Sequence, residues 1–222
     1  MGTPPLAKSA EKDSKLGRSK PTVARTFRGV TIPTSSHPNI RRVRRQGTVP
    51  SIHGNKFWKS SALLIDYLKK HPPENCQRVI DVGCGWGIGG IWCAKKLDAK
   101  VTSVDADPDV FPYLDEVAAL NGVKTKTVAR RFEQLTVKDL KKYDMLIAAD
   151  ICFWDELVKP VTNMVNRAVK AGVKHIYIAD PERSTFLEMA ERCVDKHCGD
   201  LFEWKTRGSV EARGAIMAIE NA

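Results

Sequence analysis

Long apolar segments are missing from the 222-residue sequence, which contains no run of eighteen or more apolar residues. A membrane-spanning helix is therefore not expected. The N-terminus also lacks the hydrophobic segment of a secretory signal, so we expect a cytoplasmic protein with no membrane partner. The six cysteines form no Cys-x-x-Cys pair, which indicates reduced, mostly buried thiols and no metal site.

Acidic residues are scarce in one part of the chain only, so the net charge of +10 is unevenly distributed. Residues 1–47 contain eleven lysines and arginines but only two acidic residues, whereas the remainder contains 25 basic and 24 acidic residues. The folded surface is thus expected to be near neutral, which argues against nucleic-acid binding across it. The basic tail could still contact RNA or another acidic partner.

The composition divides the chain into three segments. Residues 1–25 are rich in Lys, Ser, Pro and Gly and have few large apolar side chains, which predicts a disordered basic tail. Residues 26–55 form an N-terminal extension, with a short strand at 26–33 and an arginine cluster at 41–45. That cluster fits either a solvated linker or a contact with an acidic substrate or RNA. Residues 56–222 form the main domain.

Apolar strands alternate with amphipathic helices throughout the main domain. The strands are predicted at 78–82, 100–105, 124–129, 144–149 and 174–179, followed by two strands without an intervening helix at 201–206 and 215–219. The helices are predicted at 56–71, 88–97, 108–120, 136–141, 154–171 and 183–197. This pattern predicts an α/β protein with a doubly wound, Rossmann-like, seven-stranded sheet that ends in an antiparallel C-terminal hairpin.

A glycine-rich turn follows the first strand of this domain, at Gly83, Gly85 and Gly87. Glycine permits positive φ and lets a ligand approach the backbone, so the turn is expected to bind a cofactor at the start of a helix. Asp105 lies 20 residues after Gly85, about the spacing at which an acid binds ribose hydroxyls. The spacing Gly85-x-Gly87-x-x-Gly90 also fits a dinucleotide, so two cofactor types remain open.

Asp81, the acid near the end of the first strand, distinguishes the two cofactor types. Its carboxylate would repel a pyrophosphate but would attract an ammonium group. The chain also has no Tyr-x-x-x-Lys pair to serve as a dehydrogenase acid, and no second domain for a hydride acceptor. These features favour a cofactor that carries an amine over a dinucleotide.

The motif Asp81-x-Gly83-x-Gly85-x-Gly87, followed by Asp105, resembles the first two motifs of class I S-adenosylmethionine-dependent methyltransferases. The resemblance covers about residues 54–219, and the hairpin corresponds to the reversed seventh strand of that fold. More narrowly, four segments resemble seven-stranded protein lysine methyltransferases and bacterial nicotinamide methylase-like proteins, namely Gly54–Trp58, Val104–Pro108, Ala149–Phe153 and Ala179–Arg183. The resemblance therefore implies that residues 56–222 are a methyltransferase domain with S-adenosyl-L-methionine as its cofactor.

The resemblance also implies which residues bind the cofactor. The set is Trp58, Asp81, Gly83, Gly85, Gly87, Asp105, Ala106, Phe132 and Ala149. Within it, Asp81 and the glycine turn would hold the methionine portion, and Asp105 would bind the ribose. Phe132 would flank the adenine ring, and Trp58 would pack over the cofactor from the preceding helix.

The same resemblance places catalysis at Asp150, Phe153 and Trp154, after the fourth strand. Asp150 would orient the substrate nitrogen, and the two aromatic side chains would desolvate it and support its positive charge. Helix capping by Asp150 and core packing of the aromatic rings are the alternative roles. Phe153 stands where many lysine-modifying relatives have tyrosine, and Glu182 stands where a related segment has glycine.

Three functions are consistent with these residues. The first is N-methylation of a protein lysine side chain by direct methyl transfer. The second is methylation of a small amine of the nicotinamide kind with the same cofactor. The third is a non-catalytic cofactor-binding module that its basic tail recruits to RNA.

Overall fold

The computed structural model describes residues 23–51, 53–54 and 56–221. Most of the predicted basic tail, residues 1–22, lies outside the described residues. The first strand begins at Ala24, inside the segment predicted to be disordered. No helix in the described part is long and apolar enough to cross a membrane.

Strands and helices alternate along most of the described chain. The strands are β1 (Ala24–Phe27), β2 (Val30–Pro33), β3 (Arg78–Val82), β4 (Lys100–Asp105), β5 (Lys126–Ala129), β6 (Met145–Ala149), β7 (His175–Asp180), β8 (Asp200–Thr206) and β9 (Ala212–Glu220). The α-helices are α1 (Pro38–Arg45), α2 (Ser60–Lys70), α3 (Ile88–Lys96), α4 (Phe111–Asn121), α5 (Val137–Leu140), α6 (Asp155–Lys170) and α7 (Ser184–His197). Short 3-10 helices at Pro108–Val110 and Phe132–Gln134 precede α4 and α5.

Seven strands form one sheet in the order β5-β4-β3-β6-β7-β9-β8. The first five of these are parallel, whereas β9 runs antiparallel to β7 and forms a hairpin with β8. The predicted doubly wound sheet with its C-terminal hairpin is confirmed. The predicted strands lie within about three residues of the observed ones, because the apolar runs are the residues that the sheet buries.

Helices cover both faces of the sheet, with α2, α3 and α4 on one side and α5, α6 and α7 on the other. Strand β3 serves both layers, since Val79 belongs to the first core while Ile80 and Val82 belong to the second. The strand order reverses between β3 and β6. Open α/β sheets bind ligands outside the carboxyl ends of their strands at such a reversal, so the fold directs attention to that edge.

The arginine cluster at 41–45 is helical, so its interpretation as a linker was wrong. It belongs to α1, which begins with Pro38 and is capped by the His37 side chain. Ile40 and Val43, three residues apart, are buried against α4. The sequence did not predict this short amphipathic helix, because only two of its eight residues are apolar and buried, which is too weak a pattern.

The predicted strand at 26–33 is a β-hairpin rather than one strand. Arg28 and Gly29, with φ of 47° and 88°, turn the chain between β1 and β2. The Arg28 Nη2 atom lies 2.6 Å from the buried Asp66 carboxylate of α2. This ion pair fastens the N-terminal extension to the main domain.

Candidate functional site

A cleft opens at the carboxyl ends of β3, β4 and β6, where the strand order reverses. Its walls contain ten of the predicted site residues, namely Trp58, Gly83, Gly85, Asp105, Ala106, Phe132, Ala149, Asp150, Phe153 and Trp154. Asp81 lines a smaller recess beside the cleft, which shares Trp58, Gly83, Gly85 and Ala149 with it. The fold therefore brings together residues that lie up to about a hundred positions apart in the sequence.

The glycine turn shapes the floor of the cleft. Gly83 has φ of +65°, and a Cβ there would lie 2.5 Å from Ile151 Cγ2, so a side chain is excluded by both backbone and packing. Gly87 lies outside the walls of the cleft and the recess. A Cβ on Gly87 would meet Leu114 at 2.6 Å, so this glycine admits close packing between α3 and α4.

Asp81 is buried beneath the turn, at 5% exposure. Its Oδ2 atom accepts a hydrogen bond from the Gly90 N–H at 2.9 Å, which positions the carboxyl group against the start of α3. Burial raises the pKa of Asp81 to about 7. A buried carboxylate with a single backbone donor is well suited to bind a cation that enters the recess.

Asp105 connects the end of β4 to the glycine turn. Its Oδ2 atom accepts from the Gly85 N–H, and its Oδ1 atom accepts from the Asp107 N–H, both at 3.0 Å. Burial raises the pKa of Asp105. Asp107 caps the following 3-10 helix by accepting from the Asp109 N–H at 3.0 Å, so the capping role falls to Asp107 and leaves Asp105 on the cleft wall.

Asp150 directly follows β6 and has φ of +59°, a left-handed conformation that is strained for a residue with a Cβ. Its Oδ1 atom lies 2.7 Å from Arg183 Nη1, in an ion pair without hydrogen-bond geometry. Helix α6 begins after Trp154 without a side-chain cap, so Asp150 is not a helix cap. The strained aspartate is held at the cleft instead.

Arg183 joins two acids at the ends of neighbouring strands. Its Nη1 atom lies 2.7 Å from both Asp150 and Asp180. Burial raises the pKa of Asp180 to about 6, even though Arg183 acts to lower it. The arginine therefore offsets part of the negative charge that the two aspartates bring to the site.

Aromatic side chains form the outer wall beside Asp150. Phe153 and Trp154 have ring centroids 4.7 Å apart, and His53 lies 5.0 Å from Phe153 and 5.8 Å from Trp58. Together with Asp150 and Arg183 they line a second recess next to the cleft, which we call the aromatic recess. Trp154 is 51% exposed, so core packing does not explain it.

Two residues that line the cleft or the recess beside it, His53 and Arg183, were not predicted from the sequence. His53 reaches the cleft only because the segment after α1 crosses the carboxyl edge of the sheet, and no local pattern indicates that path. Arg183 could have been found, since it follows Asp180 at the end of β7 and every strand end at this edge is a candidate.

Replacing Glu182 with glycine is expected to stabilise the fold. Glu182 has φ of +68°, which costs a residue with a Cβ about 1–2 kcal/mol, while the freedom of glycine in the unfolded chain offsets about 0.5–1 kcal/mol. We expect urea denaturation to show a gain of roughly 0.5–1 kcal/mol. The same change at Glu191, exposed within α7, should cost about 1 kcal/mol. Equal losses of unfolding free energy for the two substitutions would show that the backbone at Glu182 is not strained.

Comparisons with known proteins agree with this architecture. The sequence model of the family described as lysine methyltransferase matches residues 42–192. No curated protein matches the chain.

Among solved structures, a SAM-dependent methyltransferase from Agrobacterium tumefaciens is similar, with a TM-score of 0.64, 14% identity, and coverage of 90% of this chain and 70% of that one. A ribosomal protein L11 methylase from Lactobacillus delbrueckii subsp. bulgaricus has a TM-score of 0.51 and 19% identity, over 71% and 77% of the two chains. A precorrin-6y C5,15-methyltransferase from Geobacter metallireducens has a TM-score of 0.54 and 11% identity, over 73% and 87%.

Identities this low establish a shared fold, and the substrates named are those of the other proteins. The family match is stronger, because it spans more than half of the chain and includes the glycine turn, Asp105 and Asp150. The chain therefore belongs to the lysine methyltransferase family and is an S-adenosylmethionine-dependent methyltransferase of class I.

Proposed function

We propose that this enzyme methylates the side-chain amine of a lysine in a protein substrate. The observation that carries the proposal is the recess in which Asp150 lies among aromatic rings, directly beside the cofactor cleft. The cleft and the recess share five residues, so a ligand in one would face a ligand in the other; they are His53, Trp58, Asp150, Phe153 and Trp154. The family description supports lysine as the target.

The cleft suits S-adenosylmethionine because its acids and its glycines match the parts of that molecule. Asp105 would accept from the ribose hydroxyls, and Phe132 would pack against the adenine ring. Asp81 would pair with the α-ammonium group, and the absence of a Cβ at Gly83 leaves room beside it. When bound, the cofactor supplies a methyl group on a positively charged sulfur.

The residues of the aromatic recess would keep the lysine amine neutral and orient it for methyl transfer. Only the neutral amine has a lone pair to donate, and Phe153 and Trp154 would favour that form by excluding water. Asp150 would accept a hydrogen bond from the amine and so direct its lone pair toward the cleft. Because Arg183 offsets the charge of Asp150, the site would not hold the amine in its protonated form.

Exposure of the aromatic recess to solvent favours a protein substrate. A lysine side chain can reach an amine site through an open mouth, and the half-exposed Trp154 lies at that mouth. Methylation of a small amine is the second candidate, because His53, Gly54 and Trp58 of the preceding segment cover part of the cleft as a lid would. The two candidates differ in the size of the product.

Transfer of labelled methyl groups into a cell lysate tests the proposal. With radiolabelled S-adenosylmethionine, we expect label in acid-precipitated protein, and methyllysine after hydrolysis of that protein. Label confined to small metabolites would instead support the small-amine candidate. If the enzyme binds the cofactor but neither the protein fraction nor the metabolite fraction is labelled, both candidate functions are contradicted.

A further inference from the structure

The recess that contains Asp81 holds a second charged residue for which no role has been assigned. It is Lys56, which lies just before α2 and lines the recess together with Cys84 and Gly85 of the glycine turn. Among the thirteen described residues that line this recess, Asp81 is the only acid and Lys56 the only strong base. Cys84 is also present, but burial raises its thiol pKa well above the usual range, so it stays neutral.

One acid and one base in a single recess match the charges of an α-amino acid. The methionyl end of S-adenosylmethionine carries an α-ammonium group and an α-carboxylate on the same carbon. Asp81 would pair only with the ammonium, and an unpaired carboxylate in this recess would be unfavourable. The recess opens into the cleft through Trp58, Gly83 and Gly85, so a ligand in the cleft can extend into it.

The position of the Lys56 ammonium is constrained by Trp58. Its Nζ atom lies 4.2 Å from the Trp58 ring centroid, in a cation–π contact. The indole is itself fixed, since its Nε1–H donates to the His53 carbonyl at 2.7 Å. Lys56 forms no ion pair with another described residue, so its charge is available to a ligand.

We propose that Lys56 binds the α-carboxylate of the methionyl end of S-adenosylmethionine, opposite Asp81, which binds the α-ammonium. This inference rests on the proposed placement of the cofactor in the cleft. It makes Lys56 a determinant of cofactor specificity, because adenosine compounds without a carboxylate lose this contact.

Calorimetric titration with three ligands tests the role of Lys56. The ligands are S-adenosylmethionine, decarboxylated S-adenosylmethionine, which keeps the amine, and 5′-deoxy-5′-methylthioadenosine, which lacks both charged groups. For Lys56→Met, which retains the aliphatic stem, we expect about tenfold weaker binding of S-adenosylmethionine. Binding of the other two ligands should change less than about twofold. Lys56→Arg, which keeps the charge, should restore most of the affinity.

Asp81→Asn provides the matched control. It should weaken both ligands that carry the amine and leave methylthioadenosine unaffected. Equal losses for S-adenosylmethionine and its decarboxylated form in Lys56→Met would show that Lys56 acts only by supporting Trp58, and no loss for either would also overturn the proposal. If the unmodified protein binds none of the three ligands, the placement of the cofactor itself fails, which is a distinct outcome.

Discussion

Asp150→Asn is expected to lower the rate of methyl transfer by about a hundredfold or more while cofactor affinity changes little. The substitution keeps the size of the side chain. Because the amide would turn its single oxygen toward Arg183, an N–H donor would face the amine in place of the proposed acceptor. Asparagine also tolerates the left-handed backbone at this position, where φ is +59°, so the fold should be preserved. The rate is measured as label transferred to lysate protein at saturating cofactor, and the affinity by calorimetry.

Asp155→Asn is the control for this substitution. Asp155 lies five positions further on, is exposed in the first turn of α6, and undergoes the same chemical change. It should lower stability by less than about 1 kcal/mol through the helix dipole and leave the rate unchanged. Similar rates for Asp150→Asn and the unmodified enzyme would remove Asp150 from the mechanism. A parallel loss of cofactor binding would assign it to the cleft alone.

Asp81→Asn is expected to weaken S-adenosylmethionine binding by about a hundredfold, since loss of one partner of a buried charge pair costs roughly 2–5 kcal/mol. Asparagine keeps an oxygen for the Gly90 N–H, which Asp81 accepts at 2.9 Å, so the turn should be retained. Affinity is measured by calorimetry at pH 8, where Asp81 with a pKa of about 7 is ionised. Asp98→Asn, on the exposed loop after α3, should leave affinity unchanged.

The pH dependence of cofactor binding gives a second readout of Asp81. Because its pKa is about 7 before the ligand binds, the carboxylate is mostly protonated at pH 6 and mostly ionised at pH 8. Affinity of the unmodified enzyme should therefore fall about tenfold between pH 8 and pH 6. Asp105 is present in both proteins, so a smaller fall in Asp81→Asn isolates the part due to Asp81.

Stability of the ligand-free protein should change with pH in the opposite sense. The folded-state pKa of Asp81, about 7, is raised above the ordinary aspartate value of 3.8, so the folded protein binds the proton more tightly than the unfolded chain does. The stabilisation of the folded protein by protonated Asp81 is fully present below pH 4 and is lost as the pH rises through 7. Relative to Asp81→Asn, the unmodified protein should lose about 4 kcal/mol of unfolding free energy between pH 4 and pH 8. If the unfolding free energies of the unmodified protein and Asp81→Asn change with pH in the same way, the Asp81 carboxyl group is solvated and not buried.

The order of strands and helices was predictable because each element carries its own local signal. A buried strand such as β3 is a short apolar run, and an amphipathic helix such as α6 repeats its apolar residues every three or four positions. The glycine turn and Asp105 were also local, since their spacing is set by one strand, one turn and one helix. The sequence could therefore indicate the class of cofactor as well as the fold.

Other parts of the structure depend on contacts between distant segments. Helix α1 is held by two apolar residues against α4, and its four arginines outweigh that signal in the sequence. The approach of His53 to Phe153 joins residues 100 positions apart and follows from the path of the extension across the sheet. Such contacts are fixed by packing of whole elements, which a local pattern does not contain.

The sequence by itself determined that the chain folds as a doubly wound sheet and carries the cofactor motif of a class I methyltransferase. Only the tertiary structure decided that Asp150 is paired with Arg183, that a recess lined by aromatic rings adjoins the cleft, and that Lys56 and Asp81 line one recess. The reason is physical. Strand-end residues converge only after the parallel strands align, so their mutual charges and burial exist only in the folded protein.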